Sequence, residues 1–212
     1  MCWNEHVSLN TFLFSFFVLL LIMYNNAYTP YKIKFFSIPM CIFIFSFIFM
    51  QLIEFFIWRN LHNSYNHVFS LMALLLIICQ PLASLLMVKD TSLRNLLMMI
   101  YSSVIVIYYI LLKSKNIYSE VSTNGHLKWN YVNDNVVTYS YIFWFFFFLF
   151  SFVYNKMWLY LAYIVLTYLI SIMIYSKHKT ITSMWCWIVN IQMVFFVMYL
   201  LLWLPYKEHG IC

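Results

Sequence analysis

Apolar and polar positions alternate along this chain in long blocks rather than with a short period. Seven apolar stretches stand out: about Ser8–Tyr24, Phe35–Trp58, Val68–Val88, Leu96–Leu112, Val137–Tyr154, Met157–Tyr175 and Met184–Leu204. Crossing a bilayer takes roughly 20 apolar residues, with a range near 17–25. Backbone groups in lipid must be satisfied internally, so each stretch predicts a helix. The fold class expected is all-α: a polytopic membrane protein, a single bundle of seven transmembrane helices over residues 1–212. Most connections are brief. Asn155-Lys156 makes a tight turn and predicts a helical hairpin. The polar stretch Lys113–Val136 reads as one exposed loop.

Composition removes the soluble alternative. The chain is 65% apolar and only 8% charged, where a soluble domain is about 25% charged. One small core cannot hide that much apolar surface, so the bilayer is the expected solvent and main partner. The five cysteines form no CxxC pair and no disulfide framework. The first stretch is preceded by no Lys or Arg and followed by no small-x-small cleavage site, so it reads as a retained helix.

An odd number of spans puts the termini on opposite sides. On the N-terminal side, called side A, lie Arg59, Lys113, Lys115, Lys128, Lys177 and Lys179; side B carries Lys32, Lys34, Lys89, Arg94, Lys156 and Lys207. The tally is even and does not orient the chain. With the long loop set aside side B leads, which favours a cytoplasmic C-terminus.

Glu54 is the only acidic residue within the apolar stretches. Gln51 lies one helical turn before it and Trp58 one turn after. Depth along the helices, at about 1.5 Å per residue, gathers Tyr141, Tyr168, Ser171, Trp187 and Asn190 in the same side A half. Gln80 sits deeper and precedes Pro81. That proline predicts a kink near Ile77 and a freed carbonyl, to be met by a Ser or Thr side chain or by water. Three readings of Glu54 stand side by side. It lines a polar pocket open to side A, since membrane carboxylates face bundle interiors or wet cavities. It bonds Asn190 or Trp187 and joins spans two and seven. Or it snorkels to Arg59. The pocket candidates are Glu54, Gln51, Trp58, Gln80, Tyr141, Tyr168, Trp187 and Asn190. Trp185 reads as an interfacial belt residue. His6, His62, His67, His126 and His178 fall on side A without ligand-like spacing. Neither a structural metal nor another cofactor is expected, and no nucleic-acid partner.

Several seven-helix chemistries are excluded. The last span has no Lys for a retinal Schiff base. Asp/Glu-Arg-Tyr and Asn-Pro-x-x-Tyr receptor motifs are absent. No span holds the His and Asp of a ceramidase-type zinc site, and Gln80-Pro81 reverses the Pro-Gln order of seven-span carriers. With no catalytic partner for Glu54, an embedded enzyme ranks third. A small-molecule transporter or ligand-binding protein with a pocket at Glu54 ranks first. A non-enzymatic membrane scaffold or virion-membrane component ranks second.

The stretches "QLIEFFIW" with Asn60 in span two, "QPL" in span three and "SMWCWIVN" in span seven resemble an uncharacterised family of multi-spanning membrane proteins from large DNA viruses and some single-celled eukaryotes. The resemblance implies a viral or protist integral membrane protein, in a virion or host internal membrane. It assigns no catalytic residue.

Overall fold

A computed structural model describes residues 4–30, 32–33, 36–112, 116–130 and 135–208. Among these the chain is all-α apart from one small hairpin. The helices are α1 (Glu5–Tyr28), α2 (Ile38–Arg59), α3 (Tyr65–Leu85), α4 (Thr91–Leu112), α5 (Asn135–Tyr154), α6 (Trp158–Tyr175) and α7 (Ile181–Lys207). Five of them, α1, α2, α3, α6 extended to His178, and α7, are long and apolar enough to cross a membrane. The apolar runs described in α4 and α5, Thr91–Val106 and Tyr141–Tyr154, are shorter. This helix set suits a membrane-embedded, multi-pass protein.

Burial is inside-out relative to a soluble domain. Leu159 and Met173 on α6 are 87% and 83% exposed, while Gln51, Glu54, Ser70 and Ser84 are wholly buried. Apolar side chains turned outward and polar ones inward fit a hydrocarbon solvent, where an unsatisfied polar group costs several kcal/mol. The most buried of the five long helices is α2 and the least is α6. α2 packs on α1, α3 and α7; α5 packs on α3, and α6 on α7.

Helix ends follow local chemistry. Asn4 caps α1 by accepting from the Val7 N–H at 2.9 Å, and Asp90 caps α4 through the Ser92 and Leu93 N–H groups. Both place an acceptor where a helix leaves backbone donors unpaired. Between α5 and α6, Lys156 adopts the left-handed conformation (φ 55°) that reverses the chain in the tight turn. Asn155 fastens that turn to the α3–α4 connection by donating to the Met87 carbonyl at 3.1 Å.

The segment read as an exposed loop differs from expectation. Its described part holds an antiparallel hairpin, β1 (Ser119–Val121) and β2 (Leu127–Trp129), turned through Gly125 at φ 77°. Ile117, Ser119, Leu127 and Trp129 are buried. The loop is polar on average, but Ile117, Leu127 and Trp129 turn apolar side chains inward, and the buried Ser119 is hydrogen-bonded to Asn66 and Ser70. Residues 113–115 and 131–134, the start of span two at Phe35, and the chain-end cysteines Cys2 and Cys212 lie outside the described residues.

α3 is helical through Pro81. The carbonyl that the proline deprives of its usual donor, that of Ile77, accepts from the Trp144 indole N–H at 2.8 Å. The donor is thus an aromatic side chain on α5, not the Ser, Thr or water expected. One carbonyl further, Ile78 accepts from the Tyr101 hydroxyl at 2.9 Å. Trp144→Phe should cost about 1–3 kcal/mol by orphaning the Ile77 carbonyl. Adding Pro81→Ala should recover most of that loss, because residue 81 regains its own N–H. Thermal melts of the single and double variants check it; no recovery in the double would mean that Trp144 does not serve this carbonyl.

Candidate functional site

Glu54 lies wholly buried on α2, as expected of a residue turned into the bundle. Gln51 donates from Nε2 to Glu54 Oε2 at 3.1 Å, the contact that their spacing on one helix face allows. Snorkelling is overturned. Arg59 pairs instead with Glu5 of α1 at 3.6 Å, and its guanidinium lies 5.7 Å from the Phe55 ring centre. From α7, the buried Cys186 comes within electrostatic reach of Glu54.

Asn190 is also buried, but its amide serves backbone. It donates to the Cys186 carbonyl at 2.8 Å and, across the helix interface, to the Phe47 carbonyl of α2 at 3.5 Å. Trp187 turns the other way and donates to the Thr11 hydroxyl of α1 at 3.2 Å. Spans two and seven are therefore joined through Asn190 and the α2 backbone at Phe47, about two helical turns from Glu54. The Trp58 indole N–H and the Gln51 amide oxygen are buried with no hydrogen-bond partner among the described residues.

The remaining candidates gather elsewhere. Gln80, Tyr141 and Tyr168 line a small cavity with Thr182, Trp185 and Cys186. It offers about 10 Å³ to water centres, enough for a single water and no more. Cys186 links the two groups, facing this cavity and lying near Glu54. Trp185 corrects the belt reading: it is 2% exposed, packed among Phe47, Trp144, Phe145, Phe148 and Tyr168, with its N–H on the Thr167 hydroxyl at 3.2 Å. Position near a helix end could not separate a belt tryptophan from a core one.

No family model, curated protein or solved structure matches this chain. The geometry alone therefore carries the functional reading.

Three further features surround the site, of which the first two were not singled out from sequence. The first is a clamp under the hairpin. Asn66 donates to the carbonyls of Leu61 (3.0 Å) and Ser119 (2.8 Å) and accepts from the Ser119 N–H (2.9 Å) and the Ser70 hydroxyl (3.0 Å). One side chain thus stands in for a neighbouring strand at the edge of β1. His67 adds a contact to the Ile117 carbonyl at 2.7 Å. Ser122 and Asn124 tie the hairpin tip to the α6–α7 connection through the His178 carbonyl and the Thr180 hydroxyl. The hairpin is thus fastened across the start of α3 and the α6–α7 connection.

The second is an irregular turn in α7 at Ile191, which keeps helical backbone angles (φ −59°, ψ −30°) between Ile181–Asn190 and Gln192–Met198. The Tyr163 hydroxyl of α6 donates to the Ile188 carbonyl at 3.2 Å, and the Gln192 backbone N–H lies toward the same hydroxyl. Those two groups would otherwise bond each other. A hydroxyl inserted into the helix ladder is a recognised cause of such irregularities. A π-helical turn, Tyr199–Trp203, follows.

The third is the histidine set. His126 is buried with its ring edge-on to Tyr175, and burial, then nearby positive charge including His178, holds its pKa below 6.5. His178 Nδ1 contacts the Thr123 hydroxyl at 3.1 Å. Glu120 pairs with Lys128, which holds its carboxyl below the usual range. No three His, Cys, Asp or Glu side chains are grouped to hold a metal among the described residues.

Proposed function

We propose that this is a seven-helix integral membrane protein that binds, and as a small transporter carries, a small molecule at an occluded polar site around Glu54. The observation that carries the reading is the wholly buried carboxylate on the central helix, bonded to Gln51 and within electrostatic reach of Cys186. A carboxylate in a bilayer is costly and is kept where it meets a partner or a pathway. The resemblance of "QLIEFFIW" and "SMWCWIVN" is what favours a virion or host internal membrane as its location.

The scaffold reading is favoured by one specific observation: the cavity beside Cys186 has room only for water, and Asn190 and Trp144 bond backbone carbonyls of neighbouring helices. Purified protein in nanodiscs separates the two. Metabolites, lipids and metals are screened by thermal shift across pH, for wild type and Glu54→Gln. A ligand that binds the folded state stabilises it, by about 2.7 kcal/mol at a hundredfold excess over Kd. A shift present in wild type and lost in Glu54→Gln supports the pocket; no shift under any condition leaves the scaffold.

Seven crossings require the two termini on opposite faces. Tags at Met1 and Cys212 should show opposite accessibility in sealed vesicles. Tags on one face would remove one crossing, with α4 or α5 the first to reassign because their described apolar runs are short.

A further inference from the structure

α5 and α6 are joined by a tight turn and touch, but α5 packs mainly onto α3 and α6 onto α7. An open apolar groove of about 550 Å³ runs along the outer face of α5, a volume typical of a ligand site. Tyr141, Phe145, Leu149 and Val153 line it along α5, and Tyr168 lines it from α6. From Tyr141 to Val153 the helix rises about 18 Å at 1.5 Å per residue. One leaflet of hydrocarbon is about 15 Å deep. A single extended lipid chain matches that length.

One end of the groove is not apolar. Tyr141 and Tyr168 also line the small cavity behind it, with Gln80, Thr182 and Cys186. Gln80 is 1% exposed and its amide N–H₂ has no partner among the described residues. This donor sits where the chain-sized groove ends. Neither lining includes a Lys, Arg, Asp or Glu. Tyr141 lies six residues into α5, about 9 Å below its start. A charged head at that depth has no cation to meet and is disfavoured.

We propose that the groove holds the chain of a neutral, long-chain amphiphile taken from the bilayer, with its hydrogen-bond-accepting end at Tyr141 and Tyr168 in front of Gln80. The inference rests on the ligand-binding reading above and adds to it the class of ligand and a lateral route in. The two tyrosines form the partition between the bilayer and the polar interior.

The test uses the full chain in nanodiscs with two photoactivatable probes: a long-chain fatty alcohol bearing a diazirine and an alkyne, and the same chain without its hydroxyl. Adducts of the alcohol should concentrate on residues 141–153 and Tyr168. Ile142→Trp, at a position lining the groove but 68% exposed and so tolerant of change, should suppress labelling by both probes. Gln80→Leu should weaken labelling by the alcohol about two- to tenfold, the loss of one hydrogen bond relayed by the single water the small cavity admits, and leave the hydroxyl-free probe unaffected. Adducts spread over the lipid-facing sides of α1 and α7 in proportion to exposure would mean ordinary boundary lipid and overturn the proposal. So would indifference to both substitutions. Groove labelling that persists while Glu54→Gln changes nothing in the thermal-shift screen would instead defeat the Glu54 site alone.

Discussion

Glu54→Leu is expected to destabilise the folded protein by about 1–3 kcal/mol, because it leaves the buried Gln51 amide without its acceptor. The Gln51–Glu54 bond at 3.1 Å is wholly enclosed, so water cannot replace the lost partner. Removing both groups should be milder than removing one. Gln51→Leu combined with Glu54→Leu restores an apolar interface and should recover much of the loss. Glu54→Gln keeps the shape and a hydrogen-bonding end but cannot titrate. It should fold close to wild type and lose only ligand or proton coupling. Denaturation of wild type, Gln51→Leu, Glu54→Leu and the double variant in one detergent or nanodisc measures the cycle. A double variant as unstable as the sum of its singles would show that the two side chains do not act as a pair.

The second large effect is expected at Asn66. Its amide makes four hydrogen bonds, two of them to the Ser119 backbone, and Asn66→Ala removes all four. Each buried group left unmet costs about 1–3 kcal/mol, less where the freed hairpin can reach water. The hairpin should therefore come away from α3 before the bundle itself unfolds. Amide exchange across 116–130 should rise while the cores of α2 and α3 stay protected. Unchanged exchange in the hairpin would remove the clamp from the argument.

Acid should loosen the same element. His126 is held neutral by burial, with its folded pKa below its unfolded value of 6.5. Its neutral form thus favours the folded state above that value, and this contribution is lost as pH falls from 6.5 through the folded pKa. His178, Lys179 and Lys177 lie on the connection beside it, Lys128 on β2, and Glu120 opposite on β1. His126→Gln should flatten the acid limb of hairpin exchange.

Much of this architecture was legible in the residues. Long apolar blocks place the helices to within a few positions, because hydrocarbon imposes one requirement on every spanning segment and leaves few alternatives. The Gln51–Glu54 bond was accessible for a related reason: both groups lie on one helix, where three-residue spacing fixes their distance. Pro81 likewise announced an unmet carbonyl, since its missing N–H is covalent. The tertiary structure decided who answers. Trp144 reaches Ile77 across 67 positions, Asn66 reaches Ser119 across 53, and Tyr163 enters the α7 ladder across 25. Periodicity tells which face of a helix is buried but not which neighbour covers it. Trp185 makes the same point, since an aromatic near a helix end suits a belt and a core equally until the helices are packed. The hairpin was hidden because its buried positions are separated by polar ones, and only the docking of Asn66 and Thr180 against it shows which side faces the bundle. Sequence set the solvent, the helices and the bonds made within a helix; packing set every bond made between elements, because those depend on distances that no local pattern encodes.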